Sequence, residues 1–194
     1  MNASVFTTID LLRHGQCEGG EIFRGHTDVP LNEDGWQQMR DSLEHIGRPW
    51  PWQHIISSPL HRCSDFADRL SLETNIPWQQ EPSFRELHFG DWDGKAIDDI
   101  WKRDGDAAKT FATKPAQASP PNGESLLQLQ ERVLHGWPRM INQFEGCHLL
   151  IIQHGGSIRV LLAHIRQHPS SPVNRSHEPY ARPGRFRVSL VHET

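Results

Sequence analysis

The stretch His148–Gln153, HLLIIQ, constrains the fold more than any other in the chain. Its continuous apolar run leaves no side for water, so this strand belongs at the centre of a sheet covered on both faces. Parallel sheets meet that condition, because their crossover connections lay helices over both faces. The rest of the chain supplies the parts. Val5–Leu12 predicts a strand bounded by a turn at Gly15, IISS (55–58) a short buried strand, and RFRVSLVH (185–192) an alternating final strand. A helix is expected after Asn32, with Trp36, Met39, Leu43 and Ile46 inward and Gly47 and Pro49 at its end. A second is expected after Ser58, read as its cap with Pro59 at the first position, and with Cys63, Phe66, Ala67 and Leu70 inward until Ile76-Pro77.

Short helices are expected within 96–113, and a long one from near Glu124 that buries Leu126, Leu129, Val133, Trp137 and Met140. Gly136 and Pro138 are expected to kink or split it. A last helix follows Gly156 and buries Ile158, Leu161, Leu162 and Ile165. The segments 18–31, 82–95 and KPAQASPPNG read as loops. Strands alternating with helices predict an α/β protein, a three-layer α/β/α sandwich with a mostly parallel sheet. The 194 residues are expected to form one domain, 1–194.

Charge and cysteine usage narrow the partners. The net charge is −4 and no long basic run is present, which argues against nucleic acid and anionic membranes as partners. Cys17, Cys63 and Cys147 are odd in number and widely spaced, which suits a reducing compartment rather than a disulfide framework. No signal-peptide pattern and no apolar run of membrane-spanning length is seen. The expectation is a cytoplasmic protein with a small-molecule partner. The oligomeric state stays open.

With thirteen histidines in the chain, position decides which ones matter. Three strand–helix junctions carry unusual residues. Arg13 and His14 follow the first strand, Arg62 lies in the helix after IISS, and His154 follows HLLIIQ. In a parallel sheet these carboxyl ends share one edge, where ligands bind. Two guanidinium groups make a clamp for a phosphate or carboxylate, and the helix opening at Gly155-Gly156 favours an anion. No P-loop and no acidic metal cluster accompanies them, so the expected ligand is a phosphomonoester, with no metal and no cofactor. A neutral histidine is a competent nucleophile toward phosphorus, and the leaving oxygen needs a proton. Either Glu86 or Asp91, in the irregular 82–95 segment, offers a carboxyl group for that.

LLRHGQ, ISSPLHRC, FRELHFGDWDG and IIQHGGSIR, in that order, resemble the signature segments of the histidine phosphatase superfamily, the branch that includes cofactor-dependent phosphoglycerate mutase. FRGHTDVPLNEDG and PNGESLLQLQERV also match, so the resemblance spans residues 9–162. It implies His14 as the phosphorylated nucleophile, Arg13, Arg62 and His154 as the phosphate pocket, and Glu86 rather than Asp91 as the acid. It aligns Arg24, Gly25 and Gly155 with substrate-contacting positions. Many members carry an Asn shortly after the Arg-His-Gly motif. QCEGGEIF has none, and Gln16 or a backbone N–H is the expected substitute. The short span between the acid segment and the late helix resembles the α-ribazole-5′-phosphate phosphatases rather than the mutases, which carry a long insertion there. The implied reaction is hydrolysis. The alternatives are a phosphatase of other specificity, mutase-like transfer, or an idle phosphate-binding module.

Other chemistry-bearing residues have plainer readings. His164 and His168 have metal-like i,i+4 spacing, but Pro169 follows and no third ligand is evident, so a solvated helix face is expected. Cys147-His148 and Trp92 read as packing, Trp50 and Trp52 as cover for the sheet edge, and Arg182, Arg185 and Arg187 as a solvated cluster.

Overall fold

The computed structural model describes residues 5–44, 46, 48–167 and 185–192. In chain order the elements are β1 (Val5–Arg13), α1 (Glu33–Glu44), β2 (His54–Ser57), α2 (His61–Thr74), β3 (Trp78–Gln80), α3 (Ile97–Arg103), α4 (Gly105–Thr113), α5 (Leu126–Gln143), β4 (His148–Gln153), α6 (Gly155–Gln167) and β5 (Arg185–His192). The sheet order is β3-β2-β4-β1-β5. The first four strands are mutually parallel, and β5 runs antiparallel to β1. HLLIIQ is therefore the middle strand.

Its side chains divide between two cores. Leu149 and Ile151 join Ile9, Leu11 and Ile56 under α5 and α6. Leu150 and Ile152 join Leu12 and Ile55 under α1 and α2. This is the three-layer α/β/α arrangement. The four apolar residues of β4 are all fully buried, each worth about 1.5–3 kcal/mol relative to exposure. A smaller cluster around Trp92, Ile100 and Ala108 lies beneath α3 and α4. Among the described residues no helix is long and apolar enough to cross a membrane.

Several expectations need adjustment. Ser58 does not cap α2. The helix starts at His61, after an extended Leu60 whose own side chain caps nothing, and the His61 N–H donates to the Asp28 carboxylate at 2.7 Å. Asn75, in the left-handed conformation at φ 58°, ends it before Ile76-Pro77. Residues 78–80 form an edge strand too short to show periodicity. α5 is one continuous helix through Pro138, begun by a capping box between Ser125 and Gln128. Trp52 and Trp92 are buried, and their indole N–H groups donate to Asp10 and Asp104, both at 2.8 Å. His168 and Arg182 lie outside the described residues, as does Gly47.

Gly15 does more than let the chain turn. A Cβ there would run into the carbonyl of Gly35 in the first turn of α1, and a Cβ on Gly35 would run into the carbonyl of Gln16. The end of β1 and the start of α1 thus touch backbone to backbone. Asn32 secures that start, accepting the Gly35 N–H through its side chain at 2.8 Å.

Candidate active site

Register brings the predicted residues together. Ile152 of β4 pairs with Leu12 of β1 and Ser57 of β2. One step further the His14 N–H donates to the Gln153 carbonyl at 3.0 Å, and the Ser58 N–H to the Ile152 carbonyl at 2.9 Å. His14, Ser58 and His154 therefore leave the sheet at the same level. The His14 and His154 rings meet edge to face, 5.2 Å apart.

Hydrogen bonds define both tautomers. His14 Nδ1 lies 2.8 Å from the Gly15 carbonyl, which only accepts. Nδ1 thus carries the proton, and the Nε2 lone pair is available. For His154 the pattern is reversed. Arg62 Nε donates to Nδ1 at 3.2 Å, so Nε2 carries the hydrogen and donates to Ser58 Oγ at 2.7 Å. Ser58, whose sequence reads as a cap, is a partner of the second histidine.

Arg62 is fully buried. Besides His154 it donates to the carbonyls of Thr27 at 3.1 Å and Gly25 at 2.7 Å. Nη2 also donates to the Arg24 carbonyl at 3.4 Å, so these bonds lock the rotamer and leave one Nη1 hydrogen for a ligand. The Arg13 guanidinium carbon stands 3.4 Å from where a Cβ on Gly155 would sit, so the missing side chain gives it room at the head of α6. Gly156 acts likewise for Glu86. Any Cβ there would collide with the Glu86 carboxylate, which instead accepts the Gly156 N–H at 3.1 Å and the Leu87 N–H at 2.9 Å.

The other carboxylates of that segment are engaged elsewhere. Asp93 accepts from the Gly25, His26, Thr27 and Phe89 amides and from the Thr27 hydroxyl. Burial pushes the Asp93 carboxyl up, but these hydrogen bonds together hold it below the usual carboxylate range. Asp91 is exposed and accepts from Asn122 at 3.1 Å. Gly25 has its N–H on Asp93 and its carbonyl on Arg62, so it forms wall rather than offering a free donor.

Arg13, His14, Gln16, Cys17, Glu21 and Arg24 line one cleft of about 790 Å³, with Ile22, Gln38 and Ile97 completing its walls. Arg24 folds the loop that lacks the Asn, donating to the carbonyls of Glu18 at 2.9 Å and Gly20 at 2.6 Å. Gln38 accepts the Gln16 N–H at 3.0 Å. It escaped sequence reasoning because a polar residue on an outer helix turn carries no signal. Cys17 lies 3.6 Å from His14 Nδ1, and Cys63 within 3.9 Å of the His154 ring. Burial pushes both thiols up, so they pack as neutral groups.

Burial, followed by the positive charge of Arg62, lowers His14 to about 3. Burial, Arg62 and His14 push His154 well below the ordinary imidazole value. Both rings are therefore neutral at pH 7. In the unfolded chain each takes a proton near pH 6.5. The unfolded state then binds more protons below that pH, and stability falls as pH drops from about 6.5 toward 3. The raised value of His61 acts in the opposite sense, but that side chain is exposed on α2. The urea midpoint is accordingly expected to fall between pH 7 and pH 5, above most carboxylate titration, and to fall less in His154→Gln. An unchanged midpoint over that interval would contradict the neutral-histidine pair.

Known proteins resemble this chain in sequence and in fold. The model of the histidine phosphatase superfamily, branch 1, matches residues 9–183. The chain belongs to that superfamily, and it is a phosphatase. The adenosylcobalamin/alpha-ribazole phosphatase of Salmonella typhimurium is 31% identical over 167 residues, which cover 84% of this chain and 81% of that one. The uncharacterized phosphatase PhoE of Bacillus subtilis is 29% identical over 161 residues, 82% of this chain and 77% of its own. The native structure of mycobacterial glucosyl-3-phosphoglycerate phosphatase Rv2419c superposes with a TM-score of 0.76 at 25% identity, over 95% of this chain and 90% of that one.

Proposed function

We propose that the protein hydrolyses a small phosphate monoester through a phosphohistidine at His14. The observation that carries this is the placement of His14, with a free Nε2, beside the buried Arg62–His154 pair and the Glu86-bearing head of α6. In the first step Nε2 attacks phosphorus, the ester P–O bond breaks, and Glu86 gives a proton to the leaving oxygen. In the second, Glu86 takes a proton from water, the water oxygen attacks phosphorus, and the N–P bond breaks. Arg13, Arg62 and the α6 N-terminus neutralise the equatorial oxygens throughout. Arg24 and Gln16, which line the cleft, face the remainder of the substrate, while Gly155 gives the Arg13 guanidinium room beside the phosphate.

The substrate proposed is α-ribazole 5′-phosphate, in line with the activity named for the Salmonella relative. The cleft supports it through the apolar Ile22 and Ile97, which suit a neutral heterocycle, and through Glu21, which repels a substrate carboxylate. Phosphate release should be measured from α-ribazole 5′-phosphate, 3-phosphoglycerate and small sugar phosphates. The first is expected to have the highest kcat/KM. Comparable values across the panel would remove this substrate while leaving the chemistry standing. Release from none of them, with retained ester binding, would favour an idle binding module.

Glu86→Gln tests the proton donor. It is expected to lower kcat/KM for α-ribazole 5′-phosphate, an alkyl ester, by about 10²–10⁴-fold. p-Nitrophenyl phosphate, whose leaving group departs unprotonated, should lose far less. Equal losses on both esters would exclude the acid role.

A further inference from the structure

Arg132, on α5, lies outside the cleft, yet three of its five N–H donors converge on the chain around Glu86 and the other two on Glu124. Nη1 donates to the carbonyls of Ser83 at 2.9 Å and Arg85 at 3.0 Å, and Nη2 to that of Glu86 at 3.1 Å. Nε and Nη2 complete a bidentate pair with Glu124, at 2.9 and 2.7 Å. Glu124 in turn accepts the His88 N–H at 3.0 Å and donates its own N–H to the His88 carbonyl at 2.8 Å. His26 Nε2 also donates to the Glu86 carbonyl, at 3.0 Å.

Residues 85–89 form neither helix nor strand. Without a ladder of its own, such a segment has its carbonyls satisfied from outside or left unpaired. One planar guanidinium gathers two of them, those of Arg85 and Glu86, together with the Ser83 carbonyl just upstream, and is itself aimed by a carboxylate. Lysine cannot reproduce this, because its three donors radiate from a single atom. With every donor committed, Arg132 has none left for a substrate.

We infer, given Glu86 as the proton donor, that Arg132 is its positioning residue and that the Arg132–Glu124 pair sets the carboxyl group against the leaving oxygen. Loosening this clamp moves Glu86 while leaving His14, Arg62 and His154 in place. Proton donation then suffers and phosphate binding does not.

The test compares Arg132→Ala, Arg132→Lys and the milder Glu124→Gln with Glu86→Gln, using the full chain. The readouts are kcat/KM on α-ribazole 5′-phosphate and p-nitrophenyl phosphate, and inhibition by inorganic phosphate. Arg132→Ala is expected to lose about 10²-fold on the alkyl ester, to lose only a small fraction of that on the nitrophenyl ester, and to keep its phosphate inhibition constant. Added guanidinium ion should restore part of the lost rate. Arg132→Lys should resemble Arg132→Ala, and Glu124→Gln should show the same ester selectivity at smaller amplitude. Should Arg132→Ala fail to fold, the selectivity of Glu124→Gln decides. Equal losses on both esters, or a weakened phosphate constant, would reduce Arg132 to a structural residue and overturn the inference. Ester selectivity in Glu86→Gln but in none of the clamp variants would overturn it while sparing Glu86. No selectivity in Glu86→Gln would remove the acid assignment, and this inference with it.

Discussion

Replacing His14 with alanine is expected to lower phosphate release by at least about 10⁴-fold and to abolish the acid-labile phosphoenzyme. The expectation follows from how the ring is held. Its Nδ1 proton is committed to the Gly15 carbonyl, so the nucleophilic lone pair on Nε2 has a fixed direction. Burial and Arg62 keep the ring neutral down to about pH 3, so no proton has to leave before attack. A bound phosphate dianion would offset the charge of Arg62, Arg13 and Arg24 and raise that value, favouring the imidazolium only once negative charge is in place. Alanine leaves the anion clamp intact and removes the nucleophilic Nε2. Quenching the enzyme with ³²P-labelled substrate should trap label on the wild type and none on the variant. Wild-type turnover by His14→Ala would end the phosphohistidine mechanism.

Arg62→Lys is expected to be nearly as severe, with about 10²–10³-fold lost from kcat/KM. The charge is retained, but the fork is not. Arg62 is fully buried and ties His154 Nδ1 to the carbonyls of Thr27 and Gly25. A lysine ammonium cannot reach all three, so buried acceptors lose their donors at about 1–3 kcal/mol each. His154 would also lose the bond that defines its tautomer, and the Nε2–H contact to Ser58 would no longer be enforced. Unlike His14→Ala, this change should weaken both inhibition by inorganic phosphate and the urea midpoint. Wild-type phosphate inhibition in a folded Arg62→Lys protein would show that the guanidinium does not hold the phosphoryl group.

Four of the five strands were legible from apolar runs and alternation, while the three-residue β3 was not. HLLIIQ could only be a strand covered on both faces, and the two cores beneath it use alternate residues. Convergence of His14, Arg62 and His154 was legible for the same reason, since parallel strands deliver their carboxyl ends to one edge. What sequence could not show were the side-chain partnerships. Ser58-Pro59 has the composition of a helix start, yet the Ser58 hydroxyl faces His154, and composition does not record direction. Asp91, Asp93 and Glu86 are equivalent carboxylates on paper. The family resemblance favours Glu86; the physical reason, five donors on Asp93 against the Gly156 N–H beneath Glu86, exists only in three dimensions. The clamp from Arg132 to residues 83–86 crosses more than forty positions of sequence and leaves no periodic trace.

The contact between Gly15 and Gly35 has a bearing on heredity. Two residues twenty positions apart sit where backbone meets backbone, a Gly15 Cβ against Gly35 and a Gly35 Cβ against the Gln16 carbonyl, so neither admits a side chain. A single-base change at either codon that installs a side chain forces the nucleophile's strand and the first helix apart, and no second change at the partner can restore the fit, because glycine is already the smallest residue. Such a pair has no compensating route, so lineages descending from this chain are channelled to hold both codons together, although neither residue takes part in any chemical step.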